Sequence, residues 1–370
     1  MRFQTSKPVL AGNEAKYVQE ALASGWISGH GPFVARFEQE VSAFLKLEGG
    51  IAVSSGSAAL HLALRSLAVG PGIDVIIPAL TFVACPNAVL YCGGNPVFAD
   101  CDPITRNLTP ESIEAAITRQ TCGVLFVHLF GLPTPIKAIQ RFCREKGLWL
   151  VEDCAHAFGA QVEGQSVGAF GDSAAFSFYG NKVISTGEGG MVFAKEPEKR
   201  QLIRCLREQG MDPARHHWHV LHGYNYRMHN LAGAIGCGQI EMAGFHIAER
   251  RRIAQRYRRN LQPLEDHEIL RLPVEPAGTF SVYWLFSIVL CKGGKERRDR
   301  LRERLLRDFG VQTRPFYIPM HRLPIFERDI ALPHAEFLGD HGMVLPTYSG
   351  LRDEEVDEIS QALTTCLGAL

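Results

Sequence analysis

The sequence predicts an α/β protein in which helices cover a large, mostly parallel sheet and a smaller α/β domain follows. Two observations predict this fold class. Short apolar runs typical of strands alternate with amphipathic, helix-like segments through the first two thirds of the chain. The composition then changes to a basic helical segment, several prolines and a new set of strand and helix patterns. We therefore divide the chain into a large domain, residues 1–245, and a small domain, residues 246–370.

The elements of the large domain are predicted from the spacing of apolar residues and from the residues that end each segment. Helices are expected where apolar residues recur every three or four positions, at 13–24, from 32, at 57–67, from 110 and at 135–146. Strands are expected at the short apolar runs 51–53, 74–78, 95–100, 124–128, 148–153, 174–178 and 191–194. Helices that end at Gly25, Gly70 and Gly147 fit the preference of glycine for helix ends.

The small domain is predicted to contain strands at 282–290 and 311–317 and helices at 248–261, 296–309 and 354–367. The first of these helices carries six arginines, which fits either a nucleic-acid-binding face or a solvated helix between two domains. The zero net charge of the chain favours the solvated helix. Three prolines that follow are predicted to mark a linker: Pro263, Pro273 and Pro276.

Charge and cysteine content exclude several classes of protein. The chain has 39 basic and 39 acidic residues, so bulk charge gives no attraction to a nucleic acid. Ten scattered cysteines without a C-x-x-C pair fit neither a disulfide framework nor a zinc site, and no metal is predicted. Reduced thiols, the lack of an apolar signal core and the lack of a membrane-length apolar run favour a cytoplasmic protein without a membrane partner.

Three features of the large domain are candidates for binding a ligand. The loop 54–57 opens a helix and offers free amide groups to an anion, although a serine there could simply cap the helix. Phe82 follows a strand, and Asp153 ends a buried one, where parallel sheets bind their ligands. An alternative for Asp153 is that it caps the next turn.

Lys182 is the candidate nucleophile. It stands alone in a glycine-rich loop between the predicted strands 174–178 and 191–194. A lysine held among apolar walls loses its charge more easily, and a neutral amine attacks carbonyl groups. An ordinary loop lysine within a turn is the alternative.

These four features together match the requirements of pyridoxal 5′-phosphate (PLP). PLP needs a cradle for its phosphate, a ring to stack against, a carboxylate for its pyridine nitrogen and an amine for a Schiff base. The sequence supplies these parts in order on an α/β pattern, and it lacks the G-x-G-x-x-G and G-x-x-x-x-G-K-[ST] fingerprints. PLP is therefore the predicted cofactor.

The chain also resembles a known family, the DegT/DnrJ/EryC1/StrS sugar aminotransferases of PLP fold type I, whose fold is aspartate aminotransferase-like. The resemblance runs almost from end to end, and within the family it is strongest to the perosamine synthase branch. The matching segments are 25–28, 55–60, 78–84, 151–157, 176–190, 223–228, 313–317 and 319–321.

The resemblance implies a role for each matching residue. Lys182 would form the Schiff base and carry a proton, Asp153 would pair with the pyridine nitrogen, and Phe82 would stack on the ring. His156 would lie near the ring oxygen, and Asn225 would reach the phosphate in the neighbouring subunit, which implies a homodimer with shared active sites. Four residues would hold the phosphate: Gly56, Ser57, Ala58 and Ser177. Three would line the rim of a nucleotide-sugar pocket, or serve packing and surface pairing instead: Trp26, Arg314 and His321.

The activity implied by the resemblance is transfer of an amino group from L-glutamate to a nucleotide-linked 4-keto-6-deoxy sugar, for lipopolysaccharide O-antigen biosynthesis. A GDP-linked sugar is the first expectation. The alternatives are a dTDP- or UDP-linked sugar, transfer to C3, or a PLP-dependent dehydratase acting on a related keto sugar. Some relatives have histidine in place of the lysine and act as dehydratases, so Lys182 favours amino transfer. A non-catalytic PLP-binding regulator is the remaining alternative, and the sequence lacks the helix-turn-helix extension that it would need. A histidine-rich segment is interpreted as surface or substrate rim: His216, His217, His219, His222 and His229.

Overall fold

A computed structural model describes residues 1–368 of the chain. Its helices are α1 (Glu14–Ser24), α2 (Pro32–Leu45), α3 (Gly56–Ser66), α4 (Ala84–Tyr91), α5 (Pro110–Glu114), α6 (Ile136–Lys146), α7 (Pro197–Arg207), α8 (Asn230–Glu241), α9 (Ala243–Asp266), α10 (Gly294–Phe309), α11 (Pro333–His341) and α12 (Asp353–Gly368). Its strands are β1 (Ile51–Val53), β2 (Asp74–Pro78), β3 (Asn95–Ala99), β4 (Thr121–Val127), β5 (Trp149–Asp153), β6 (Gln161–Val162), β7 (Gln165–Ser166), β8 (Ser173–Ser177), β9 (Gly190–Ala194), β10 (Leu270–Arg271), β11 (Thr279–Phe280), β12 (Phe286–Leu290), β13 (Arg314–Pro315) and β14 (Gly342–Leu345).

The central sheet has seven strands in the order β1-β9-β8-β5-β4-β2-β3. The strands from β8 to β3 in this order are parallel, whereas β9 is antiparallel to both of its neighbours. Strand β8 is buried along its whole length, as expected for a strand covered on both faces. The carboxyl ends of β2, β5 and β8 therefore lie at the same edge of the sheet, and their following loops share one crevice.

A second sheet lies later in the chain. It has four antiparallel strands in the order β10-β12-β14-β13, and a small third sheet joins β11 to β6 and β7. One apolar cluster surrounds the central sheet, and another packs α9, α10 and α12 against the second sheet. Phe3 belongs to the second cluster and bridges to Val311, so the first residues of the chain pack against its last third. The domain boundary at residue 245 stays a prediction, and α9 runs across it.

Helix α9 differs from the prediction of a solvated basic helix. Arg250 is only 2% exposed, and its guanidinium donates to the carbonyl of Lys182 at 3.2 Å. Arg251 and Arg256 bind the carboxylates of Glu275 and Asp357 instead of facing open solvent. The prediction of a solvated helix holds only in part, because one face of α9 packs against other elements while Gln255 and Arg259 stay exposed. Pro263, predicted to mark a linker, lies inside α9.

Several elements depart from their predicted limits. The strand predicted at 282–290 begins only at Phe286, and the segment predicted as a strand at 311–317 forms one only at Arg314–Pro315, apart from the single bridge at Val311. Four helices were not predicted: α4, α7, α8 and α11. Among residues 1–368, no helix combines the length and apolar character needed to cross a membrane.

Candidate active site

The amino end of α3 forms one wall of the site. Ser55 caps the helix by accepting a hydrogen bond from the Ala58 amide at 3.1 Å, and the other amides of the first turn have no acceptor within the helix. Ser177, at the end of β8, lies against this turn. A Cβ atom added to Gly56 would come within 2.7 Å of the Ser177 Cβ. Glycine at position 56 therefore lets a hydroxyl and a helix amino end face the same space, as binding of a phosphate requires.

Asp153 ends β5 and is 6% exposed. Its Oδ1 atom accepts a hydrogen bond from the Ala155 amide at 2.9 Å, and its Oδ2 atom accepts one from the Cys85 thiol at 3.2 Å. Burial raises the pKa of Asp153, and these two donors and Lys182 partly offset the rise. Because a cation at this carboxylate would replace the lost hydration, Asp153 is suited to a positively charged partner.

Glu152, which precedes Asp153, anchors β5 from behind together with His128. His128 Nε2 lies 3.0 Å from Glu152 Oε2, and both side chains are fully buried. With Cys154 they form a cluster whose potential metal-binding atoms lie within 4.8 Å of one another. Glu152 also accepts hydrogen bonds from three backbone amides: Gly168, Phe170 and Gly171. Glu152 therefore ties the loop before β8 to β5 and fixes the strand that presents Asp153.

Lys182 lies in the loop between β8 and β9, with its Nζ atom 4.2 Å from the centre of the Trp284 ring. Burial lowers the pKa of Lys182 from 10.5 to about 7, although the nearby Asp153 carboxylate acts in the opposite direction. The loop is held from outside: Arg250 donates to the Lys182 carbonyl, and Trp284 donates to the Asn181 carbonyl at 2.6 Å. A substantial fraction of Lys182 is thus a neutral amine near pH 7, as a nucleophile must be.

His156 stacks on Trp284 with ring centres 3.9 Å apart. Its Nδ1 atom accepts a hydrogen bond from the Phe130 amide at 3.4 Å, which places the ring proton on Nε2, 3.4 Å from the hydroxyl of Tyr317. Burial, and secondarily Lys182, hold the pKa of His156 well below its usual value. His156 is therefore neutral and directs the Tyr317 hydroxyl.

A cavity of about 460 Å³ unites most of the predicted site residues. They line it together: Gly56, Ser57, Phe82, Asp153, His156, Ser177, Lys182 and Arg314. Phe82 is 50% exposed in the cavity wall, with its ring centre 5.8 Å from that of Tyr317. An exposed aromatic ring beside a carboxylate and an amine is suited to a flat, charged ligand.

The structure places the other candidates elsewhere. Ala58 is buried in the first turn of α3 without lining the cavity, and its amide is used by Ser55. Trp26 and Asn225 are exposed and lie outside the cavity lining of their own chain. His321 is buried and bonded to Glu336 at 3.0 Å, which fits the packing alternative. The functional roles of these residues stay predictions.

The histidine-rich segment does not gather around the cavity. His219 Nδ1 forms a hydrogen bond with the carbonyl of Gln209 at 3.0 Å. His229 caps α8 by accepting a hydrogen bond from the Ala232 amide. His216 and His217 are exposed neighbours with ring centres 4.0 Å apart. The segment is therefore a surface loop of this chain followed by a helix cap.

Sequence reasoning missed several cavity residues. Thr81, Tyr179, Asn181, Glu188 and Tyr317 line the cavity and lie within the motifs quoted above, but no role was assigned to them. Trp284 lies outside every motif. Its only signal was the aromatic pair Tyr283-Trp284 at the start of a predicted strand, which equally indicates core packing.

Comparison with known proteins identifies the family. The model of the DegT/DnrJ/EryC1/StrS aminotransferase family matches residues 8–364. The chain belongs to this family. The aminotransferase is 39% identical to GDP-perosamine synthase of Vibrio cholerae over 362 residues, which cover 96% of this chain and 97% of that protein. The resemblance inferred from the sequence is confirmed.

Solved structures agree with this assignment. The aminotransferase TlmJ from Streptoalloteichus hindustanus has a TM-score of 0.93 and 32% identity, covering 99% of both chains. The PLP form of Spr1654 from Streptococcus pneumoniae has a TM-score of 0.93 and 25% identity, covering 100% of this chain and 99% of that chain. The predictions of an aspartate aminotransferase-like α/β fold and of PLP as cofactor are confirmed.

The cavity of this DegT/DnrJ/EryC1/StrS aminotransferase fits PLP. Because Gly56 has no Cβ atom, Ser177 can lie close to the amino end of α3, and both can face a phosphate. Asp153 is a buried carboxylate suited to a cationic ring nitrogen. Lys182 supplies an amine of lowered pKa in the same cavity. Asn181 also lines the cavity, and its Oδ1 atom is a buried acceptor without a hydrogen-bond partner among residues 1–368.

The pKa of Lys182 gives a testable pH dependence. Below pH 7 this group is mostly protonated, and above pH 7 it is mostly neutral. We expect the rate at which PLP attaches covalently to the cofactor-free aminotransferase to rise about tenfold per pH unit up to about pH 7 and then to level off. Stopped-flow absorbance between pH 5.5 and 9 measures this rate. Noncovalent PLP binding to a Lys182→Ala variant at each pH corrects for ionisation of the phosphate, and a rate that still climbs steeply above pH 8 contradicts the lowered pKa.

Proposed function

We propose that this aminotransferase moves the amino group of L-glutamate to C4 of a GDP-linked 4-keto-6-deoxy sugar, which yields GDP-perosamine. The observation that carries the reaction type is the convergence of Lys182, Asp153 and the amino end of α3 on one cavity. The substrate is suggested by the name of the Vibrio cholerae relative, to which the chain is similar over nearly its whole length. Arg314 is an exposed cation in the cavity lining and is suited to the diphosphate of a nucleotide.

The residues of the cavity divide the work of amino transfer. When bound, PLP stores the amino group and withdraws electrons from the carbon that loses its proton. The free first-turn amides of α3 and the Ser177 hydroxyl would hold its phosphate, and the Asp153 carboxylate would keep the ring nitrogen protonated. Lys182 Nζ would hold the cofactor and would move the proton at the substrate carbon, a transfer for which a pKa near 7 is well suited.

The test is a reaction of the purified protein with ¹⁵N-labelled L-glutamate and GDP-4-keto-6-deoxymannose. We expect mass spectrometry and NMR to show ¹⁵N at C4 of the sugar. The dTDP- and UDP-linked keto sugars, run in parallel, are expected to react with roughly 100-fold lower kcat/KM. A higher kcat/KM for either of them replaces the GDP assignment. A product that lost oxygen without gaining nitrogen supports the dehydratase alternative and contradicts amino transfer.

We propose further that the active unit is a homodimer in which Asn225 completes the partner's phosphate site. Asn225 is exposed on its own chain and lies outside its own cavity lining, and the first turn of α3 leaves Ser57 exposed to an approaching group. A second copy of the chain is therefore the natural source of an additional phosphate ligand.

Subunit complementation tests this sharing. A Lys182→Ala variant and an Asn225→Asp variant are each expected to be inactive, the second because its carboxylate repels the phosphate. Mixing them under exchange conditions is expected to restore activity to about a quarter of the sites, since half of the dimers are mixed and each has one intact site. No recovery in dimers shown to be mixed means that Asn225 acts within its own chain.

We place the protein in the cytoplasm, in the synthesis of lipopolysaccharide O-antigen. The ten cysteines are free thiols, several of them buried, which suits a reducing compartment. Deletion of the gene in its host is expected to remove perosamine from the O-antigen, and fractionation is expected to find the protein with cytoplasmic enzymes. Unchanged O-antigen composition contradicts the pathway and leaves the reaction to be judged by the labelling experiment.

A further inference from the structure

Cys85 places a thiol directly against the carboxylate of Asp153. Its Sγ atom lies 3.2 Å from Asp153 Oδ2 and 3.2 Å from Thr81 Oγ1. Cys85 and Thr81 are both fully buried; Cys85 lies in the first turn of α4, and Thr81 lies in the loop just before that helix. The segment that carries Phe82 therefore also supplies a contact to the carboxylate that we assign to the ring nitrogen of PLP.

The chemistry of the three groups fixes the direction of the hydrogen bonds. An ionised carboxylate only accepts, so the Cys85 thiol donates to Asp153 Oδ2. The sulfur can then accept a hydrogen bond from the Thr81 hydroxyl. Burial, together with the charge of Asp153, raises the pKa of the Cys85 thiol well above its usual value, so the thiol keeps its proton. The result is a chain of donors that runs from Thr81 through Cys85 to Asp153.

Each oxygen of Asp153 has one donor from the protein. The Ala155 amide binds Oδ1, and the Cys85 thiol binds Oδ2. Two donors on opposite oxygens fix the plane of the carboxylate. The thiol is a much weaker donor than a hydroxyl, so it orients the carboxylate and withdraws little of its negative charge.

We propose that Cys85 is a positioning residue for the cofactor: its thiol, supported by Thr81, holds the Asp153 carboxylate in the orientation that pairs with the pyridine nitrogen while leaving it strongly basic. The proposal rests on the assignment of Asp153 to that nitrogen. Strong basicity matters because the carboxylate must keep the ring nitrogen protonated, and the protonated ring is the better electron sink.

The first test needs no cofactor. The S–H stretching band of Cys85 is obtained from cofactor-free protein as the infrared difference between wild type and Cys85→Ala, and that of Cys154 is obtained in the same way. We expect the Cys85 band to move to higher frequency in Asp153→Ala, because the acceptor is lost, and the Cys154 band to stay unchanged. A Cys85 band that does not respond to Asp153→Ala overturns the proposal, whatever the substrate of the enzyme proves to be.

The second test uses the enzyme loaded with PLP labelled with ¹⁵N in the ring. Cys85→Ala is expected to weaken PLP binding about tenfold, since a hydrogen bond to a charged group is lost. Cys85→Ser keeps the donor and is expected to retain near-normal affinity. Its stronger hydrogen bond makes Asp153 less basic, so ¹⁵N NMR is expected to show that the ring nitrogen loses its proton at lower pH.

Cys154→Ala is the matched control, because Cys154 is an equally buried thiol next to Asp153 in sequence that makes no bond to its carboxylate. It is expected to leave both the affinity for PLP and the ring-nitrogen titration unchanged. If Cys85→Ala and Cys154→Ala change these quantities equally, Cys85 serves only packing. If Cys85→Ala does not fold, the isosteric Cys85→Ser variant decides through its titration alone, and an unshifted titration overturns the proposal.

Discussion

Replacing Lys182 with alanine is expected to lower kcat by at least about 1000-fold and to remove the visible absorbance of covalently bound PLP. Lys182 is the amine of the cavity whose pKa lies near neutrality, and both the covalent link and the proton transfer depend on its Nζ atom. Turnover is measured with L-glutamate and the keto sugar, and the covalent link by absorbance before and after PLP is added.

A control separates this effect from a general loss of positive charge. Lys195 directly follows β9, is exposed and lies outside the active-site lining, so Lys195→Ala is expected to keep normal turnover and absorbance. A small primary amine added to Lys182→Ala is expected to restore part of the activity, because the truncated side chain leaves space for it. Near-normal turnover of Lys182→Ala without added amine would contradict the assignment of Lys182 as the catalytic amine.

The Asp153→Asn variant is expected to lose about 100- to 1000-fold in kcat while remaining folded. An amide keeps the shape of the side chain and can still accept the Ala155 amide, but it carries no charge to hold a proton on the ring nitrogen. The loss is measured in the half-reaction with L-glutamate, which does not depend on the identity of the sugar. Asp172→Asn, whose native carboxylate accepts the Leu150 amide outside the active-site cavity, is the control expected to keep full activity.

Stability separates a chemical role from a structural one. Burial raises the pKa of Asp153, so its charged form opposes folding of the cofactor-free protein at pH values above the unfolded pKa. A neutral amide removes this unfavourable charge, so we expect Asp153→Asn to melt at or above the wild-type Tm near pH 7 in the absence of PLP. A large drop in Tm together with lost activity would mean that Asp153 mainly supports the fold.

The central sheet could be predicted because its strands are buried on both faces and form continuous apolar runs. Strand β2 was predicted at 74–78 and has those limits. Helix α8 was missed because it is buried nearly all round and rich in glycine, so it has neither a polar face nor good helix formers. Its glycines instead allow close packing, since a Cβ atom at Gly238 would lie 2.6 Å from the Glu14 amide nitrogen.

The site was predictable where its functional residues lie in short sequence motifs. Lys182, Asp153 and the loop before α3 each carry a signal of this kind, and the structure brings them to one cavity. Trp284 and Arg250 act on Lys182 from distant parts of the chain, and only the folded topology shows their contacts. The same holds for Cys85, because only the folded structure places its thiol 3.2 Å from Asp153 Oδ2.

The contacts that hold the lysine loop can form only after later parts of the chain have been synthesised. Arg250 and Trp284 fix the carbonyls of Lys182 and Asn181, yet the ribosome makes them after the loop itself. Trp284 follows Lys182 by about 100 residues, which takes roughly 5 to 20 seconds to translate. A nascent chain that already displays Lys182 therefore cannot yet lock it in place. The wall that surrounds the Lys182 amine is therefore complete only once Trp284 has been synthesised and the chain has folded around it.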